Sequence, residues 1–229
     1  MANKKKNSNY VTNKSEQKKA AAAQKKKTAK IKKTTKSVAI GIAAVLVITA
    51  LVFALLFAFG AFDYVPTATD HVTITLDGYS ESIHVELYGN DAPETVERFL
   101  ALVKGEYFNQ KNLHTILDGL VYLGDENAES KAGNIVGEFS ANGFNNKVSH
   151  LRGTLSMARG EDYDSAYGQF FIVSEDSRGL DGKYAAFGRI TEGLDVIEQI
   201  IREKTVGEDG KIPAKDQVII TSISSHQAH

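Results

Sequence analysis

From residue 71 onward the chain alternates apolar and polar positions in short runs, and turn residues separate the runs. Residues 71–76 and 82–88 each alternate with a period of two around Asp77-Gly78, which predicts a β-hairpin. Residues 113–117 and 120–123 flank Asp118-Gly119, a second hairpin signal. Residues 153–159 and 168–173 read as a further strand pair, with Gln169 and Phe171 on one face and Phe170 and Ile172 on the other. Residues 184–190 add a strand in which Gly188 marks a bulge, and residues 217–223 form the last one. Two segments change period. Val96, Phe99, Leu100 and Val103 form a helical stripe between Pro93 and Gly105, and Leu194, Ile197, Ile200 and Ile201 form another. Eight short strands and two helices in about 160 residues predict a mainly β fold. The expected architecture is a closed eight-stranded antiparallel barrel, which leaves no exposed edge, capped by two α-helices.

The first third follows another pattern. Residues 38–62 are 25 positions without a charge, and only Gly41, Thr49 and Gly60 lie outside the apolar or alanine class. About 20 such residues suffice to cross a bilayer as a helix. Lys30, Lys32, Lys33 and Lys36 precede the run and Asp63 and Asp70 follow it. The excess of lysine on one side predicts a cytoplasmic N-terminus and an extracytoplasmic C-terminal part, in a single-pass protein of the cell membrane. A cleavable signal peptide is the rival reading, with Ala58-Phe59-Gly60 as its small-x-small site, but the run exceeds the usual apolar length of roughly 7–15 residues. The expected layout is a disordered Lys-rich tail (1–36), a transmembrane helix (37–62), a linker (63–70) and a folded domain (71–229).

Charge sharpens that division. Thirteen of the chain's 27 basic residues and one of its 28 acidic residues lie in positions 1–36, a net of +12. The remaining 14 basic and 27 acidic residues give the rest of the chain a net of −13. The tail fits attraction to anionic lipid headgroups, or plain solvation as a topology signal. Nucleic acid is not an expected partner, because Tyr10 is the tail's one aromatic residue and base stacking needs several. The chain has no cysteine, and its six histidines form neither H-x-x-x-H nor H-E-x-x-H, so neither a metal nor a cofactor is expected.

The order of motifs resembles the cyclophilin family of peptidyl-prolyl cis-trans isomerases. The resemblance is carried by Ala92-Pro93-Glu94-Thr95-Val96 with Phe99, by Leu113-His114, and by residues 153–158 and 168–172. Leu180-Asp181-Gly182-Lys183, Phe187-Gly188 and Glu192-Gly193 complete it. It implies a groove for proline-containing segments on the outer surface of the barrel. By position, Phe171, Leu120 and Val121 line the proline pocket, and Leu180 and Tyr184 border it. Ala158, Arg159 and Gln169 supply hydrogen bonds to the peptide, and His114 precedes the catalytic position. That position is Thr115 here, where the family has Arg. The family's Gln-Gly-Gly-Asp is replaced by Tyr122-Leu123-Gly124-Asp125, the usual Phe and Met are Leu120 and Val121, and the common Trp is Gly179. Arg159 and Arg178 are the guanidinium groups near enough in motif order to substitute, against the plainer expectation that both are solvated.

The implied reaction is rotation about an X-Pro bond, whose barrier of about 18–20 kcal/mol comes from amide conjugation. No bond is broken, so the site needs only to bind the twisted state better than either planar one. Two functions follow: isomerisation that assists folding of exported proteins, or a peptide-binding module or holdase of low turnover. A monomer is expected in either case.

Overall fold

The computed structural model describes residues 24–28, 30, 32, 38–55, 64–126 and 133–227. The chain divides into two units, Met1–Phe62 and Asp63–His229. In the first, helix α1 (Val38–Leu55) has 18 residues, all side chains exposed, and is long and apolar enough to cross a membrane. At 1.5 Å per residue it spans about 27 Å, against roughly 30 Å of hydrocarbon. Residues 37 and 56–62 of the expected span lie outside the described residues. So does most of the tail expected to be disordered, although the described positions 24–28, 30 and 32 are helical.

The second unit contains β1 (Asp70–Leu76), β2 (Ile83–Leu87), α2 (Pro93–Lys104), β3 (Asn112–Leu117) and β4 (Leu120–Gly124). It continues with β5 (Thr154–Met157), β6 (Gln169–Val173), β7 (Ala186–Glu192), α3 (Leu194–Glu203) and β8 (Val218–Gln227). The strands close into a barrel in the order β1-β2-β7-β5-β6-β4-β3-β8, every pair antiparallel.

Alternation decides what fills the barrel. Val72, Ile74 and Leu76 of β1, Ile83, Val85 and Leu87 of β2, and Phe170 and Ile172 of β6 enter one core cluster. Helix α2 adds Val96, Phe99 and Val103, and α3 adds Val196, Ile197 and Ile200. Phe99 packs against Phe108, Phe170 and Phe187 at 5.2, 5.4 and 5.0 Å between ring centroids. Such tilted and edge-on pairs add stability beyond the area they bury. The first turn of α2 has no cap from its own Ala92. Instead the buried Glu138 carboxylate accepts the Glu94 and Thr95 N–H groups at 3.0 and 2.8 Å, placing negative charge at the positive end of the helix dipole.

The bulge in β7 is one residue away from its expected place. Leu155 pairs with Gly188 and Ser156 with Ala186, so Phe187 is the extra residue. Gly188 serves close packing instead, since a Cβ there would lie 2.7 Å from the Glu86 carbonyl oxygen.

Candidate active site

A second apolar cluster sits on the outside of the barrel. Its buried members are Leu120, Ala158, Phe171 and Val173, with Tyr122, Leu180 and Tyr184 packed against them. The pairing register explains why they meet: Thr115 of β3 faces Tyr122 of β4, Tyr122 faces Phe171 of β6, and Phe171 faces Ser156 of β5. Directly opposed residues share a face, so these four form one row across the sheet. Gln169, two residues before Phe171, lies on the same face beside the row.

His114 joins this face through a break in the ladder. Leu113 pairs with Leu123 and Thr115 with Tyr122, which leaves His114 bulged out of register. Strict alternation would send His114 and Thr115 to opposite faces; the bulge brings His114 Nδ1 within 2.8 Å of Thr115 Oγ1. His114 Nε2 stands 3.2 Å from Gln169 Nε2, and the same amide nitrogen donates to the Asp125 carbonyl oxygen at 3.2 Å. A carbonyl only accepts, so the Gln169 amide donates both ways and His114 Nε2 must be the acceptor. The imidazole is therefore neutral with its proton on Nδ1, donated to Thr115 Oγ1. Burial, the largest influence, holds its pKa below the usual 6.5. Asp125 is itself held, its carboxylate accepting from Lys111 Nζ at 2.8 Å and from the Tyr107 hydroxyl at 3.2 Å. Burial first, and then that carboxylate, push the Tyr107 phenol up to about 12.

Phe171 is only 1% exposed. Tyr122 and Tyr184 flank its ring at 5.5 and 5.7 Å, and His150 stacks on it at 6.1 Å. His150 Nδ1 donates to Asp181 Oδ1 at 2.9 Å and Nε2 accepts from Ser156 Oγ at 3.0 Å. That connectivity is the one a serine nucleophile uses, but Ser156 is 0% exposed, so no substrate reaches it. What the chain does is fix a neutral ring behind Phe171, and burial again depresses its pKa.

Residues 71–225 match the family model described as cyclophilin type peptidyl-prolyl cis-trans isomerase/CLD. The chain belongs to the cyclophilin family. It is 35% identical over 159 residues to peptidyl-prolyl cis-trans isomerase 10 of Caenorhabditis elegans, covering 68% of this chain and 96% of that protein. A bacterial peptidyl-prolyl cis-trans isomerase, from Acinetobacter baylyi, is 32% identical over 150 residues, 61% of this chain and 78% of that one. Among solved structures, a Cryptosporidium parvum cyclophilin superposes with a TM-score of 0.59 at 23% identity, over 70% of this chain and 99% of that one, a likeness of fold.

Against the positions that the cyclophilin resemblance assigns, the structure brings His114, Thr115, Gln169, Leu120, Ala158, Phe171, Leu180 and Tyr184 to one face. Val121 does not lie there. It is 0% exposed and belongs to the barrel interior, because Leu120 and Tyr122 take the outward positions of β4. Tyr122 takes the place expected of Val121, and parity alone carries the signal: if Leu120 points out, so does the residue two further on. Arg159 is half-exposed, yet its guanidinium is engaged by the protein. Its guanidinium lies 4.6, 4.8 and 5.3 Å from the ring centres of Tyr184, Tyr163 and Phe139 and donates to the Lys183 and Gly160 carbonyls. Held by cation–π contacts and carbonyl acceptors together, it braces the rim and is not free to enter the groove. Arg178 is exposed and donates to Ser149 Oγ at 3.4 Å. Gly179, where the cyclophilin family commonly has Trp, would present a side chain to open space. His150 had no periodic signal, since it sits in a loop, 31 residues before its partner Asp181.

Proposed function

We propose that the outer face around Phe171 binds proline-containing segments of exported proteins and catalyses isomerisation of their X-Pro bonds. The observation that carries the reading is the cross-strand row Thr115, Tyr122, Phe171 and Ser156 with Gln169 beside it. Phe171, with Leu120 and Ala158, is the buried floor, and the proline ring packs over it against the half-exposed Tyr122, Leu180 and Tyr184. Both N–H groups of Gln169 are committed to His114 and Asp125, which leaves Oε1 to accept a backbone N–H of the peptide. Thr115 accepts from His114, so its own hydroxyl hydrogen is left to donate toward the X-Pro bond as the twisted nitrogen recovers its lone pair. Apolar walls and a few fixed donors are what differential binding of a twisted amide requires. The relation to the Cryptosporidium parvum cyclophilin, which was also crystallised in the presence of the dipeptide Ala-Pro, supports the substrate class.

In this reading residues 1–36 are a cytoplasmic tail, 37–62 an anchor in contact with lipid, 63–70 a linker, and 71–229 a monomeric extracytoplasmic domain. The length of α1 and the lysines before it support the topology. Protease added to intact cells should digest the domain and spare the tail; the reverse pattern refutes the orientation.

One observation favours a second reading, a peptide-binding module or holdase. A neutral hydroxyl stands where the family has a guanidinium, and losing one preorganised donor costs about 10²–10³ in rate. Stopped-flow isomerisation by the full chain in detergent micelles, beside Thr115→Arg, separates the two. Turnover by the wild-type chain above the uncatalysed rate supports the enzyme; turnover by Thr115→Arg alone supports the module.

A further inference from the structure

The row that begins at Thr115 has one more member. Thr115 and Lys211 form an isolated antiparallel bridge. Ile212 N–H donates to the His114 carbonyl at 2.8 Å and Ile116 N–H to the Gly210 carbonyl at 2.9 Å, so the two bonds flank the Thr115 and Lys211 pair. A pair flanked in this way has its Cα atoms about 4.5 Å apart and its side chains together on one face. The row therefore reads Lys211, Thr115, Tyr122, Phe171, Ser156.

The backbone of Lys211 is held while its side chain is exposed and tied by one ion pair. Asp209 Oδ1 accepts the Lys211 N–H at 3.1 Å, the Lys211 carbonyl accepts from Gly207 at 2.9 Å, and the neighbouring Ile212 is buried. The lysine side chain itself is 55% exposed and donates to Glu126 Oε1 at 2.6 Å. Glu126 directly follows Asp125, whose carbonyl receives the Gln169 amide. The ammonium is thus parked at the polar end of the groove, and the charges of both Lys211 and Glu126 act on His114. An exposed ion pair is weak enough to be exchanged when a better acceptor arrives. Thr115 is small, and a four-carbon stem clears the roughly 4.5 Å between the Cα atoms of the pair.

We propose that Lys211 is a catalytic residue of this groove, whose ammonium swings from Glu126 across Thr115 to donate to the X-Pro bond in its twisted state. The cation that position 115 lacks is then supplied from the adjacent chain segment. No bond forms or breaks; a hydrogen bond to Glu126 is exchanged for one to the substrate. This assignment rests on the isomerase reading of the site.

The test compares the full chain in micelles with Lys211→Met, Lys211→Arg and the double variant Lys211→Met/Thr115→Arg, by kcat/KM and by the Kd of a proline peptide. Lys211→Met should lower kcat/KM about tenfold, less than a rigid donor costs because the lysine is not preorganised. Its peptide Kd should stay within about twofold, since the contact belongs to the transition state. Lys211→Arg and the double variant should both recover turnover. Full kcat/KM in Lys211→Met overturns the assignment, as does a loss that Lys211→Arg does not restore, which marks a structural role. A wild-type chain without turnover is seen before any variant is made, and it removes the isomerase reading and this assignment together.

Discussion

Mild acid should destabilise the domain through two buried imidazoles, and the size of the effect can be bounded. His114 is 3% exposed and His150 0%. Burial is the leading cause that holds both pKa values below 6.5, opposed by Glu126 for His114 and by Asp181 for His150. In each ring Nδ1 donates and Nε2 accepts, so the added proton would meet a donor. Ser156 can answer by turning its hydroxyl, whereas Gln169 must rotate its amide and give up the Asp125 carbonyl. Below 6.5 the unfolded chain binds protons that the folded chain does not, so stability falls as pH falls; above 6.5 both states are neutral and the contribution is flat. One pH unit below 6.5, two such groups cost at most about 3 kcal/mol. For a domain of this size that is a drop in Tm of about 6–12 °C. Thermal unfolding at pH 7.5, 6.5 and 5.5, with ring carbon NMR titrations of the two histidines, checks it. A Tm that holds or rises between pH 7.5 and 5.5, or a midpoint for either ring at or above 6.5, would refute the reasoning.

Phe171→Ala should cost about 3–5 kcal/mol in urea unfolding, because a fully buried ring is removed from between Tyr122, Tyr184 and His150, and proline-peptide binding should vanish with it; unchanged affinity would show that the peptide docks elsewhere. Glu138→Ala removes the cap on α2 and should lower stability by about 1–2 kcal/mol, with Glu138→Gln losing less because it keeps one acceptor oxygen, and a Glu138→Gln chain as stable as the wild type would contradict a charge–dipole contribution. The chain contains no Trp, so Gly179→Trp gives a single fluorophore in open space at the rim, and its emission should shift when a proline peptide is added; a silent fluorophore in a variant that still binds argues against a groove reaching that rim.

Much of the fold was legible because the barrel depends on parity, which one sequence carries. The runs before and after Asp77-Gly78 and Asp118-Gly119 became β1 to β4, and the Gln169 and Phe171 face separated from the Phe170 and Ile172 face as expected. The same rule corrects the assignment of Val121, which lies in the interior between Leu120 and Tyr122 on the outer face. What the sequence did not show was each interaction that joins distant loops. Glu138 caps a helix 44 residues earlier, Arg159 gathers three rings from separate segments, and Lys211 comes beside Thr115 only through the loop after α3. None of these leaves a periodic trace, because a loop side chain is placed by its partner and not by its neighbours in sequence.

The two ends of the row are built to different standards, and this separates binding from turnover. At the ring end, Phe171 is gripped by two tyrosines and by a histidine that is itself tied to Ser156 and Asp181, while Arg159 fixes Tyr184 from behind. Each contact there is buried or part-buried, so a substitution loses packing and peptide affinity together. At the polar end, His114 and Gln169 are fixed by a short hydrogen-bonded chain, but Thr115 is only half-buried and the Lys211 side chain is exposed, and such groups contribute less to folding. Donors at that end can change without endangering the fold. A cyclophilin barrel can therefore lose the family arginine and keep its groove intact, with the rate left to whichever donor reaches the twisted bond from β3 or from the segment beside it.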